Sequence, residues 1–428
     1  MAIQKEYKVG GRGAVSIFIV LFLLFVINQA DRLIFSVALE PMKKALSLSD
    51  TQAGALVSSF LIGMALLTIP GSILVERWSR RKSLGIMALI WSAATYFTGM
   101  CSNFTQLFIT RFTVGIGEAG YTTGGLTWLS LSFRKEIRSR IMGFFMAGLP
   151  LGNALGLIVG GAIITASQNW QSPFYIFAIP GVLLGIAVFF LPDYKTLKEE
   201  GESTFSKAYF REWGSLFKIK TYWLAIIGQC LFQFVAVATV MWMSAALMRA
   251  YSMTAANAGL ITGLAALGLI IASPLGGYIA DKWQKRYKSG RPMFIVVGMV
   301  LFVIISFTLA LNMGGPLPLF VTLIVLQWFF GAALVPVQMS LPTDVIIPRL
   351  RTTGFGILTF FNSILGASAG TFAIGALSDM GGGGAAGLKM AFLSICPVAL
   401  LSCIAYFIMT KYYHADSEKV NDLVVSER

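Results

Sequence analysis

The sequence predicts an all-α membrane protein of twelve transmembrane helices in two pseudo-symmetric six-helix bundles, with both termini on the cytoplasmic side. Three observations lead there. Of its 428 residues, 56% are hydrophobic and only 12% are charged, whereas ordinary soluble chains carry about a quarter charged residues. Runs of predominantly apolar residues, each near the roughly 20 residues that span a hydrocarbon core as a helix, recur twelve times along the chain. A mixed-charge break of about thirty residues, compatible with a connection outside the bilayer, divides them six and six.

The predicted spans are 14-39, 51-75, 83-101, 104-132, 141-165, 173-191, 221-248, 257-280, 292-313, 317-343, 353-378 and 389-411. The first is too long for a cleavable leader and carries Asp31-Arg32 where a cleavage site would fall, so it is expected to remain as a span. These spans define a first bundle over 1-191, a cytoplasmic linker over 192-220, a second bundle over 221-412 and a polar tail over 413-428. Within the linker, Ala208 to Phe217 is aromatic enough for an interfacial helix, with plain linker as the equal alternative.

The net charge of +14 invites a nucleic-acid reading. Its distribution removes it. With both termini on one face, only Lys43, Lys44, Arg249 and Lys389 fall opposite, only Arg32 and Arg111 fall inside spans, and every other Lys and Arg lies on the face of the termini. Such an excess marks the cytoplasmic side. The four cysteines, Cys101, Cys230, Cys396 and Cys403, have no metal-ligand spacing, and the single histidine, His414, lies in the tail. No metal site, no cofactor and no histidine-based catalytic set is expected. An intramembrane enzyme is disfavoured for the same reason.

A repeat crosses the linker. Ser72-Ile-Leu-Val-Glu76-Arg77-Trp78-Ser79-Arg80-Arg81 follows the second span, and Gly277-Tyr-Ile-Ala-Asp281-Lys282-Trp283 follows the eighth. Each places a small residue one turn before an acid, then a base, then a tryptophan. Parallel halves of this kind around a midplane site are the build of a secondary transporter, whose halves rock to expose the site alternately. Glu76, Arg77, Arg80, Arg81, Asp281 and Lys282 are the expected conformational gating residues.

Charges at mid-membrane cost roughly 2.5 to 3.5 kcal/mol each even on insertion scales. Only Asp31, Arg32, Arg111 and Glu118 lie well inside spans, all in the first half. Arg111 and Glu118 are two helical turns apart and share a face without meeting. The expected arrangement is therefore two opposed pairs between the first and fourth spans, facing a watery cavity. A carboxylate there can couple to proton movement, because conformational change alters both its desolvation and its distance from a guanidinium. Arginine's flat fork suits a carboxylate or phosphate, which makes Arg32 or Arg111 the anion anchor.

The gating segments, Arg111-Phe-Thr-Val-Gly115-Ile-Gly117 and the Gly148-Leu-Pro150-Leu-Gly152 to Gly161 stretch resemble motifs of the major facilitator superfamily. In the first gating copy Ser72, Glu76 and Ser79 replace that family's Gly, Asp and Gly. The charged tetrad resembles two branches, organic anion:proton symporters and spinster-like transporters of lysophospholipids and sphingoid phosphates. Gly117-Glu118-Ala119-Gly120-Tyr121, Pro150-Leu-Gly152 and the Pro348-Arg349-Leu-Arg351 to Asp379 region are similar to the spinster-like branch. In the symporters the resemblance implies proton binding at Asp31 and Glu118, with Arg32 and Arg111 near the substrate anion. In the spinster-like branch it implies coupling through Asp31.

The second half has no mid-membrane charge: Asp344 and Asp379 fall near span ends. Its aromatic and methionine content gives an adaptable apolar wall. The expected cavity lining is Asn28, Tyr121, Gln233, Trp242, Gln338 and Asn362. A cavity charged on one side and greasy on the other suits an amphipathic anion better than a sugar acid. The expectation is a monomeric, multi-pass, proton-coupled transporter of the inner membrane, surrounded by lipid, whose substrate is an amphipathic or small organic anion. A small-carboxylate symporter and, remotely, a non-transporting sensor are the alternatives.

Overall fold

The computed structural model describes residues 11–193, 214, 216, 219–347 and 350–426. The backbone of residues 194–213, most of the expected linker, and the possible interfacial helix over 208–217, apart from isolated positions, lies outside them. Among the described residues the ordered elements are helices. The first eight are α1 (Gly11–Leu46), α2 (Asp50–Arg77), α3 (Arg80–Met100), α4 (Phe104–Glu118), α5 (Tyr121–Ser132), α6 (Lys135–Met146), α7 (Gly148–Ser167) and α8 (Ser172–Val188). The remainder are α9 (Lys220–Tyr251), α10 (Ala255–Leu267), α11 (Leu269–Arg286), α12 (Gly290–Leu311), α13 (Leu317–Val345), α14 (Arg351–Phe361), α15 (Ala369–Met380) and α16 (Gly384–Ser426). A π-helical segment, Asn362–Ser368, joins α14 to α15.

Among the described residues ten helical stretches are long and apolar enough to cross a bilayer, and α8 is a shorter apolar helix. The fourth predicted span is broken into α4 and α5. Gly120 stands between them with φ +86°, a conformation that side-chain-bearing residues rarely adopt. The outer faces are apolar. On α8, Ile179, Leu183 and Ile186 recur at helical spacing and are all exposed, the pattern of a helix that meets hydrocarbon on one side and protein on the other.

The chain forms two compact units. The first comprises the described residues within Met1–Leu48, Ala55–Glu199 and Ser252–Leu267; the second, those within Ser49–Gly54, Glu200–Tyr251 and Gly268–Arg428. The two halves of the sequence on either side of the linker therefore each lend a short segment to the other's unit. In the first unit α1 packs along α7, α3 along α8 and α4, and α10 along α7. Gly152 and Gly156 make the α1–α7 approach possible. A β-carbon at either would strike the backbone of Val26 or Ala30, and small residues at membrane helix contacts allow this closeness.

In the second unit α9 lies along α16 and the π segment, α12 along α16 and α13, and α11 along α13. Residues 413–426 continue α16 as helix, and Asp416 accepts hydrogen bonds from the Thr221 backbone N–H (3.2 Å) and hydroxyl (2.7 Å). Those bonds satisfy a donor at the start of α9, the service an N-cap performs, so the tail is part of the packed unit.

Candidate functional site

The four intramembrane charges gather in the first unit. Asp31 and Arg32 lie mid-way along α1; Asp31 shares the buried face with Leu21, Leu24 and Asn28. Arg111 is buried on α4, and Glu118 is that helix's last residue. Arg32 Nε donates to Glu118 Oε2 at 2.5 Å. Arg111 Nη2 stands 3.9 Å from Asp31 Oδ1, too far for a hydrogen bond. The two pairs thus differ in kind. One is a closed contact, and the other is a charge pair with a gap.

They differ in exposure as well. The Arg111 and Asp31 side chains are 2% and 3% exposed. Arg111 also lies against two neighbouring phenyl rings, 5.0 Å from the Phe35 centroid and 5.7 Å from that of Phe174. Ring faces carry negative quadrupole charge and attract a cation. Arg32 keeps 22% of its side chain exposed, 5.5 Å from the Phe60 ring. Arg32 is thus the more exposed of the two guanidinium groups, while Arg111 is buried against Asp31 and the aromatic rings.

A fifth member comes from α3. The Thr95 hydroxyl donates a short hydrogen bond to Asp31 Oδ2. Asp31 Oδ1, Glu118 Oε1 and Arg111 Nε and Nη2 are buried without hydrogen-bond partners. Buried polar atoms in that condition are rare and costly. Nothing in the sequence singled out Thr95, one hydroxyl in an apolar run, or the flanking Phe35, Phe60 and Phe174, whose residue type is abundant throughout.

The expected cavity lining divides. Asn28 and Gln338 are buried with both amide atoms unpartnered, and Asn362 is buried with Oδ1 unpartnered. Gln233 is half-buried. Tyr121 and Trp242 are buried as well, with their polar atoms engaged. The Tyr121 hydroxyl donates to the Leu21 carbonyl at 2.9 Å, and Trp242 Nε1 donates to the Thr371 carbonyl at 3.1 Å.

The gating residues divide too. Asp281 pairs with Arg291 at 2.8 Å, and Arg291 also holds Asp344 at 2.8 Å. Tyr413 donates to the same Asp344 at 2.7 Å. Asp281 is thus tied to α12 within its own unit, through a partner the sequence did not mark. Lys282 is exposed. Arg80 is buried, and Arg81 Nη1 donates to the Leu191 carbonyl at 3.3 Å. The side chains of Glu76 and Arg77 lie outside the described residues.

A second buried ion pair was not expected. In the second unit Arg249 forks onto Asp50, with both N–O distances at 2.7 Å. Ser378 also donates to Asp50 at 2.6 Å. Asp379 accepts from the backbone N–H groups of Asp50 and Thr51, at 3.0 and 2.7 Å. Position misled the sequence reading, because Asp50 and Arg249 flank spans where water-facing charge is ordinary. Among the described residues no group of His, Cys, Asp and Glu could hold a metal.

Charge pairs buried among apolar helices commonly mark substrate or ion pathways. The comparisons make this specific. The major facilitator superfamily model matches residues 21–288 and 243–423, and the chain belongs to that family. It is 26% identical to an MFS-type efflux pump of Mycolicibacterium smegmatis, over 93% of this chain and 92% of that one. It is 29% identical to a probable L-galactonate transporter of Escherichia coli, over 68% and 67%. It is 25% identical to protein spinster homolog 1 of Xenopus laevis, over 86% and 73%. Among solved structures, an inward-facing, occupied bacterial homolog of the human lysosomal transporter Spinster matches with a TM-score of 0.81 at 20% identity, covering 95% of this chain and 99% of that one.

Proposed function

We propose that this transporter is a proton-coupled secondary carrier of the inner membrane that moves an amphipathic organic anion, lysophospholipid-like, by alternating access. In this reading its twelve spans place both termini in the cytoplasm, it works as a monomer, and the proton is its coupling ion. The observation that carries the proposal is the unequal tetrad. Asp31 is buried beside a guanidinium to which it makes no hydrogen bond, so a proton can bind it without displacing a hydrogen bond from Arg111. Arg32 holds Glu118 yet remains partly exposed, so an incoming anion can compete for its remaining donors. Protonation of Glu118 would release Arg32 to the anion and link the two events.

The 25% identity to a sphingosine-1-phosphate transporter of Xenopus tropicalis supports an amphipathic substrate. The similarity to a probable galactonate transporter favours a second reading, uptake of a small sugar acid. Reconstituted protein under an imposed proton gradient, offered lysophosphatidylglycerol or a hexonate, separates them. Gradient-driven lysolipid movement that falls at least tenfold in Asp31→Asn and Glu118→Gln is the expected result. Accumulation of hexonate with indifference to lysolipid would establish the second reading, and accumulation of either solute by both variants would remove the proton sites.

A further inference from the structure

The two oxygens of the Asp31 carboxylate are in different situations. Oδ2 accepts the Thr95 hydroxyl hydrogen. Oδ1 has no hydrogen-bond partner and faces Arg111 Nη2 across 3.9 Å. We infer that Thr95 is a positioning residue for proton coupling: it holds Asp31 Oδ2, so that Oδ1 is the atom that takes up the proton. This rests on the reading of Asp31 as a proton site.

The chemistry follows from what each group can offer. A threonine hydroxyl can donate and can accept. When Asp31 is ionised, the hydroxyl donates to Oδ2 and stabilises the charge. A proton arriving at Oδ2 would find that hydrogen in its way and would require the hydroxyl to rotate. A proton arriving at Oδ1 meets no hydrogen bond, leaves the Thr95 contact in place and removes the attraction to Arg111. Proton uptake at Oδ1 therefore weakens the link between α1 and α4 while the link between α1 and α3 stays. The site acquires a direction that a carboxylate free to rotate would lack.

The surroundings contain few other groups that could impose this. Arg111 on α4 faces Oδ1, and Arg32 and Glu118 form the neighbouring pair. The helices α7 and α10, packed in the same unit, carry no titratable side chain. On α8, Tyr175 directs its hydroxyl to the Gly99 carbonyl at 2.6 Å, and on α5 the Tyr121 hydroxyl goes to Leu21. Thr95 itself is 1% exposed on α3, within a helix that packs firmly on α8 and α4, so its hydroxyl is held in place.

The test reads the carboxyl directly and needs no substrate. Protein in lipid nanodiscs is titrated with pH while the infrared C=O stretch of protonated carboxyl groups is recorded, and Asp31→Asn identifies the band that belongs to Asp31. Thr95→Val keeps the shape of threonine and removes the hydroxyl; Thr95→Ala is a second hydroxyl-free variant, and Thr95→Ser restores the donor. A hydrogen bond to a charged carboxylate is strong enough to move the midpoint by about one pH unit. The expected result is that Thr95→Val and Thr95→Ala displace the Asp31 band and move its midpoint about one unit to higher pH, with Thr95→Ser close to the parent. A band and midpoint unchanged in Thr95→Val and Thr95→Ala would overturn the role of Thr95 while leaving Asp31 as the proton site. If Asp31→Asn removed no titrating band, the reading of Asp31 would fall, and the role of Thr95 with it.

Discussion

Arg111 shows how much one side chain depends on its setting. Its guanidinium has a carboxylate at 3.9 Å and two neighbouring phenyl rings at 5.0 and 5.7 Å, an arrangement that attracts a cation without hydrogen bonding to it. Replacing it by methionine removes the counter-charge and leaves Asp31 buried alone, a loss on the order of 3 kcal/mol for a buried pair broken on one side. The sign of the pH effect follows. At alkaline pH Asp31 must carry its charge unpaired, whereas in mild acid it sheds the charge by taking a proton, so Arg111→Met should be most destabilising at high pH. Thermal unfolding in detergent across pH checks this, and adding Asp31→Asn to Arg111→Met should abolish the pH dependence. A pH-independent penalty would show that Arg111 acts through packing alone. The charges themselves were legible in the sequence, because ionised groups in lipid are too costly to be there without partners. Their aromatic neighbours were not, since a phenylalanine that flanks a cation looks like any other in a chain with 33 of them.

At the scale of elements, the apolar runs were legible as helices because hydrocarbon forces every backbone group into an internal hydrogen bond. Breaks within them were harder to read. The fourth run stops at Glu118 and restarts at Tyr121, a discontinuity made by Ala119 in an extended conformation and Gly120 at positive φ, and hydropathy averaged over a window passes through it. The same averaging hides the π segment Asn362–Ser368, although such bulges concentrate at functional places. The tail was legible only as polar, because the hydrogen bonds that its helix accepts from the start of α9 are tertiary contacts. Gly120 offers a test. With φ at +86°, Gly120→Ala should cost about 1 kcal/mol through strain alone, read as a lower unfolding temperature with the oligomeric state unchanged. An unaltered or higher unfolding temperature would mean that the break is not held in this conformation.

For the whole molecule, the duplicated acid–base–Trp segments revealed two related halves, yet they did not reveal how the halves share residues. Residues 49–54 belong with the second unit and 252–267 with the first. Periodicity and repeats describe local order, whereas this exchange depends on tertiary packing that no local pattern encodes. A chain cut within the linker should consequently give halves that fail separately and succeed together. Co-expressed 1–199 and 200–428 are expected to yield a monodisperse complex, and each alone to aggregate in detergent. A stable, monodisperse half on its own would contradict this.

The Asp50–Arg249 pair carries a consequence for how the protein is made. Its members are 199 positions apart in the chain and fully packed together. At about 5 to 20 residues per second, the ribosome delivers Arg249 roughly 10 to 40 s after Asp50 has emerged. For that interval the nascent first half carries an acid whose final partner does not yet exist. Asp50 must wait hydrated at the membrane surface, and the start of α2 can settle only once the seventh span has been inserted.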